Sequence, residues 1–462
     1  MGITTQVIGL IASLSILVFV HELGHYIFAR IFHTRVDKFY LFFNPGISLI
    51  RMKQCGNKWR FSFFSSKAPE EWQEYPDNTE WGLGWLPLGG YCSIAGMVDE
   101  TTKPGDLPEE PQPWEFRSKP AWQRFFIIIG GVLMNFISAL IIYVAVMFNW
   151  GEEYIPIDNA VYGLQFTQPA LNIGFQNGDK IISIDGKKPE TVGDFATDLL
   201  IEGVSKVQVL RDGQMVTIDI PKNFGQQVLA AGENGSFCQY NFPFVVDVVM
   251  EDHPASRAGL QKGDSLVAIN GIELFSFFDF QKVLEENKNK DLLLSYYRND
   301  SLYQTAVHLG EDGKLGVYNV NPAGYFQTKK VDYGFFESIP VGISKGVNTL
   351  GMYVKQFKLI FTKEGASQLG GFGTIGSIFP KTWDWERFWN TTAFLGIILA
   401  FMNIIPIPAL DGGYLLFIIV EMISGRKPSD KFIGYANTVG FSLLIILLLY
   451  ANGMDIFRAF FK

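Results

Sequence analysis

Residues 7–32 read VIGLIASLSILVFVHELGHYIFARIF, an apolar run that carries two histidines and a glutamate. About 20 mainly apolar residues suffice to cross the hydrocarbon core of a bilayer. Ionisable side chains inside such a segment are expensive and by default functional. On a helix His21 and His25 stand one turn apart on the same face. Neutral imidazoles at that spacing suit Zn²⁺, and the adjacent Glu22 is suited to take a proton from metal-bound water. The bland alternative is a pair of histidines and a glutamate satisfying one another within a helical bundle. With neither a basic leader nor a small-x-small site around it, the run reads as a span rather than a signal peptide.

Three further stretches have the same character: residues 125–150 (FFIIIGGVLMNFISALIIYVAVMFNW), 391–423, interrupted by NIIPIPALDGG, and 433–450, ending FSLLIILLLY. The composition agrees. Hydrophobic residues make up 48% of the 462, charged residues only 18%, and mean hydropathy is +0.15. A disordered chain is excluded and an ordinary cytosolic globule disfavoured. A formal charge of −8 with no polybasic block argues against a nucleic-acid partner. Cys55, Cys92 and Cys238 are too scattered for a disulfide framework or a thiolate zinc site.

Basic residues beside the spans set the orientation. Arg30, Arg35 and Lys38 follow the first, Arg117, Lys119 and Arg124 precede the second, and Arg426, Lys427 and Lys431 join the third to the fourth. Glu152, Glu153 and Asp158 follow the second. Residues 33–123 are therefore expected in the cytoplasm and residues 151–385 outside. The outer region contains a repeat: PALNIGFQNGDKIISIDG (169–186) and PASRAGLQKGDSLVAING (254–271) agree at eight of eighteen positions, 85 residues apart. Each has a helical start, a Gly-x-x-x-Gly-Asp turn, an alternating strand and an Asp-Gly or Asn-Gly turn. The pattern resembles tandem PDZ domains, which bind extended peptides along a sheet edge; a ligand-free steric lid is the open alternative.

Between the first two spans, residues 36–50 and 58–64 alternate as strands do, and WGLGWLPLGGYCSIAGM (81–97) is glycine-rich and apolar. A β-hairpin and loop dipping into the membrane fits, with a small cytosolic β-subdomain as the alternative. Two imidazoles leave a catalytic zinc one protein ligand short. Asp411, in the Asn403-x-x-Pro406-x-Pro408-x-Leu410-Asp411-Gly412-Gly413 stretch, is the candidate. His21 lies 11 residues before Phe32 and Asp411 12 before Ile423, placing both roughly 16–18 Å from the inner ends of their spans. Taken by itself, Asp411 is equally a cap beside a Gly-Gly break. Pro406 and Pro408 break a helix and free backbone groups that need partners inside a membrane, and a substrate strand is one. Asn403 is placed to hold a substrate backbone or an oxyanion, or simply to pack helices. Asn135 in the second span is read as packing.

Together HELGH (21–25), WLPLGGY (85–91), SKPAWQRFFIIIGGVLMNF (118–136) and NIIPIPALDGG (403–413) make the chain resemble the site-2 protease family of intramembrane zinc metalloproteases, near the bacterial sigma-E-regulator branch. The resemblance implies His21, His25 and Asp411 as zinc ligands, Glu22 as general base, and Asn403 and Pro408 as substrate contacts. It implies a polytopic α-helical protein of the bacterial inner membrane with four spans, two periplasmic PDZ domains and a membrane-associated β element. Its expected partners are the lipid bilayer and pre-trimmed, single-pass membrane proteins such as anti-sigma factors, or signal-peptide remnants. The expected segments are 1–32 (first span), 33–123 (β region), 124–150 (second span), 155–235 and 236–322 (PDZ domains), 323–390 (linker and amphipathic segment), 391–423 (third span) and 432–457 (fourth span).

Three departures stand out. The family's Gly-Pro-x-x-Asn appears as Gly131-Val132-Leu133-Met134-Asn135, Tyr414 follows Gly413 where the branch often has His, and an acidic stretch enlarges residues 67–80. Two rivals remain: a silent PDZ scaffold with a structural metal, and an ion transporter, which the lack of an inverted repeat disfavours. Gly371–Gly376 satisfies GxGxxG without a βαβ setting and is read as a mobile loop. Sequons at Asn234, Asn299 and Asn390, and His33, His253 and His308, are read as bystanders.

Overall fold

The computed structural model describes residues 2–87, 89–97, 110–231, 237–357 and 370–461; Leu88 of the WLPLGGY stretch and the Asn234 sequon lie outside them. Among the described residues the chain forms two bodies, one comprising residues up to Gly151, 332–357 and 370–461, the other Glu152–Val331.

In the first body, three helices among the described residues are long and apolar enough to cross a membrane: α1 (Gly2–Ile31), α2 (Ala121–Trp150) and the stretch Lys431–Arg458 of the final helix Asp430–Phe461. The remaining expected span takes a different form. Trp385–Ile404 and Asp411–Ser424 are separate helices, because Pro406 and Pro408 cannot donate to a helix and clash with the preceding turn. The first of them begins at Trp385 rather than 391, since Asp384 caps it by accepting from the Arg387 N–H at 3.0 Å.

α1 and α2 cross where neither has a side chain. A Cβ on Gly24 would lie 2.2 Å from the Gly130 carbonyl oxygen, and one on Gly131 2.5 Å from His25 Nε2. Gly24 and Gly130 therefore let the two backbones touch, and Gly131 leaves room for the histidine rings. Arg124 on α2 donates to Glu421 on Asp411–Ser424 at 2.5 Å, and Ile127, Ile128, Leu415 and Ile418 close a shared core. The expected linker contributes a long helix, Phe335–Phe357. Gly342 meets α2 at Val144 and Gly346 meets it at Leu140, so this helix runs antiparallel to α2.

The region between α1 and α2 is a five-stranded mixed sheet rather than a hairpin and loop: β1 (Val36–Leu41), β2 (Ser48–Cys55), β3 (Lys58–Ser65), β4 (Glu80–Leu83) and β5 (Tyr91–Ile94), ordered β3-β2-β4-β1-β5. Residues 36–50 are thus two strands with a turn between. Of the glycines of WGLGW, Gly82 belongs to β4, because it makes room. A Cβ on Gly82 would sit 2.2 Å from the Tyr40 ring. That ring donates its hydroxyl to the buried Glu80, which also accepts from Arg51 at 2.8 Å. Burial and the Glu80 carboxylate push the Tyr40 phenol well above its ordinary value, so it stays a donor. Glu80 of the acidic stretch is therefore a structural carboxylate.

The second body holds two hydrophobic cores, one over residues 157–238 and one over 244–315. The sequence repeat recurs atom for atom. Asp179, with no side-chain exposure, accepts from Arg211 and from the Gln176 N–H. Asp264, equally buried, accepts from Arg298 and from the Gln261 N–H. Each arginine also donates to a glycine carbonyl, Gly174 or Gly259. Phe237 and Cys238 join the first core, Cys238–Tyr240 pairing with Leu164–Phe166, so the boundary falls a few residues beyond 236.

Candidate metal centre

His21 and His25 share one face of α1, and Asp411 opens the helix Asp411–Ser424 directly after Leu410. The proline-broken strip bends back on this helix so tightly that a Cβ on Gly412 would lie 2.1 Å from the Ile405 oxygen and one on Gly413 2.6 Å from the Ile407 oxygen. Only glycine permits that turn, and the turn aims Asp411 at the histidines.

Asp411 Oδ2 lies 3.2 Å from His21 Nε2 and 3.4 Å from His25 Nε2, and the two Nε2 atoms are 3.3 Å apart. Among the described residues these three form a group whose ligand atoms all lie within 4.8 Å of one another; His33, His253 and His308 are not in it. The outer nitrogens are occupied. His25 Nδ1 donates to the Ile127 carbonyl at 2.9 Å, which turns its Nε2 lone pair toward Asp411. Three inward donor atoms so converge while Asp411 Oδ2 remains buried without a hydrogen bond. That donor set fits a tetrahedral zinc site with one open position.

Asn135 departs from its reading as a packing residue. It is fully buried, and its amide lies 3.3 Å from His21 Nδ1 while its Oδ1 has no hydrogen-bond partner. Turned so that the oxygen faces the ring, the amide accepts from Nδ1–H and frees Nε2 as a ligand atom. The sequence signal was its position in the span; its facing element lay outside reach of spacing.

Glu22 points to the sheet. The Cys92 backbone N–H faces its carboxylate, and a Cβ on Gly90 would come within 3.6 Å of its Cγ and 2.5 Å of the Tyr40 carbonyl oxygen. Part of WLPLGGYCSIAGM therefore borders the candidate base. Asn403 is partly buried at the end of its helix, and its side chain makes no hydrogen bond among the described residues. Pro408 lies in the strip, beside the final helix. The GxGxxG stretch is no loop. It forms the helix Phe372–Ser377, whose Gly371 and Thr374 N–H groups donate to Asp455 and whose Phe372 N–H donates to Asn452. Its glycines serve that docking.

The chain belongs to peptidase family M50, the site-2 protease family, whose pattern matches residues 9–66 and 67–447. Among its relatives, a protein of Neisseria meningitidis named "Putative zinc metalloprotease" is 26% identical, covering 97% of this chain and 98% of its own. The "Regulator of sigma E protease" of Haemophilus influenzae is 24% identical over 97% and 98%. The family is one of zinc-dependent metalloproteases, and the apolar helices are those of a membrane protein.

Proposed function

We propose that the protein is an intramembrane endopeptidase that cuts transmembrane segments of membrane-anchored proteins, with zinc held by His21, His25 and Asp411. The observation that carries this reading is the buried, unbonded Asp411 Oδ2 between two imidazole nitrogens. Bound there, zinc would supply Lewis-acid polarisation of water and of the scissile carbonyl. Glu22 takes the proton of the attacking water and later delivers it to the leaving amine. His25 is oriented by the Ile127 carbonyl and His21 by Asn135. Asn403 and the Pro406–Pro408 strip hold the unwound substrate backbone, whose freed amide groups need partners in a membrane.

The chain crosses the bacterial inner membrane four times, with Trp385–Ile404 and Asp411–Ser424 together making the third crossing. The two repeats are PDZ domains on the periplasmic side that exclude substrates with bulky outer parts, so an earlier cut is obligatory. The substrates are single-pass regulators of the anti-sigma-factor kind and signal-peptide remnants. The test is zinc content and cleavage of a membrane-anchored peptide by the purified protein, wild type beside Glu22→Gln. Zinc in both with cleavage lost only in the variant is expected. Equal cleavage refutes Glu22 as the base, and zinc with no cleavage by either favours the scaffold. Deletion of residues 160–320 should release cleavage of untrimmed substrate; unchanged selectivity refutes the size filter.

A further inference from the structure

A helix that carries no ligand also grips the metal centre. In the strip before Asp411, Ala409 stands at φ +75°, a left-handed conformation that its Cβ opposes. Alanine lacks the polar side chain with which Asn or Asp offsets that strain locally, so the hold must come from elsewhere. It comes from Asn437 on the final helix, which is only 6% exposed. Asn437 Oδ1 accepts from the Ala409 N–H at 3.3 Å, and its Nδ2 donates to the Tyr414 hydroxyl at 3.2 Å.

These two partners flank Asp411, one before it and one after it. A turn further along the same helix, a Cβ on Gly440 would lie 1.9 Å from the Pro408 oxygen, so the final helix also backs the strip directly. Tyr414, one of the departures from the family pattern, is thereby accounted for as the second hold of this amide.

We propose that Asn437 is a positioning residue, which keeps Ala409 in its left-handed conformation and so sets the direction from which Asp411 enters the ligand set. The inference rests on the metal reading above. It acts through the backbone, since the Asn437 hydrogen bonds reach Ala409 and Tyr414 rather than the ligand atoms. It also carries an internal check: glycine adopts φ +75° without strain, so in an Ala409→Gly background the grip of Asn437 loses its importance.

The experiment is a double-mutant cycle on the full-length protein in lipid nanodiscs, reading zinc affinity by competition with a chromophoric chelator. Asn437→Ala should weaken zinc binding about tenfold or more, the range for groups that orient metal ligands. The same substitution made in the Ala409→Gly background should cost far less. A packing role alone would give equal losses in both backgrounds, because Ala409→Gly does not fill the space the asparagine leaves. Equal losses, or wild-type affinity in Asn437→Ala, overturn the inference. If Asn437→Ala does not fold, Tyr414→Phe, which removes only the second hold, runs through the same cycle, again with a smaller loss expected beside Ala409→Gly. A wild-type protein without zinc overturns the metal reading itself, which is a distinct result.

Discussion

Gly24→Ala is the sharpest perturbation of the helix crossing that presents the histidines. The new Cβ would stand 2.2 Å from the Gly130 oxygen and 2.5 Å from its carbon, whereas carbon and carbonyl oxygen meet at roughly 3.3 Å. Both obstacles are backbone, so no side chain can swing aside, and α1 must move from α2 by about 1 Å. Overpacking of this kind costs about 1–3 kcal/mol. The functional loss is larger, because His21 and His25 ride on α1 while their partners, Ile127 and Asn135, ride on α2. A displacement of about 1 Å at a reacting centre is worth on the order of 10²-fold in rate. The assay is cleavage of a membrane-anchored peptide beside thermal unfolding and zinc content. Gly434→Ala on the final helix, where a Cβ meets nothing within 4 Å, serves as the control and should change none of the three. Wild-type cleavage and melting by Gly24→Ala would refute the close-crossing argument.

Other expectations follow from the second body. Arg211→Ala leaves the wholly buried Asp179 carboxylate without its cation and should destabilise the first repeat by about 3–5 kcal/mol. Adding Asp179→Ala should recover part of that, read by hydrogen exchange within residues 152–331; an additive double variant refutes the pairing. Tryptophan fluorescence cannot report it, since all ten tryptophans lie outside that stretch. Burial pushes the Cys238 thiol up to about 12, so at pH 8 its thiolate is scarce. Native Cys238 should alkylate more than about a hundredfold slower than the unfolded chain, its rate rising with pH up to that value. Labelling as fast as that of the unfolded chain at pH 8 would contradict its burial.

Much of the candidate ligand set was legible because its spacing is local. Two histidines one turn apart inside an apolar span stand out by themselves, and the aspartate beside the Pro-x-Pro break gains its meaning only when paired with them. The break at residues 405–410 was legible for the same reason, proline being unable to continue a helix. What escaped depended on partners distant in sequence. Strand β4 pairs in parallel with β1, about 40 residues away, and its Gly82 was taken for a loop residue because the Tyr40 ring that needs its space cannot be seen from composition. Asn135 read as packing because its hydrogen-bond partner is 114 residues upstream. Phe372–Ser377 read as a loop because its capping groups, Asn452 and Asp455, lie on the final helix.

The contact between Glu22 and the sheet has a thermodynamic consequence. The carboxylate proposed as the base lies beside the Cys92 N–H, and β5 lies at the outer position of the sheet, paired with β1 on one side. Any molecule whose binding shifts β5 against α1 therefore alters the surroundings of Glu22. Equilibrium coupling is reciprocal: a ligand that reshapes those surroundings must change the affinity of the sheet for such a molecule by the same factor. An active-site inhibitor can thus serve as a probe of what docks on the sheet, measured entirely by binding and without a single turnover.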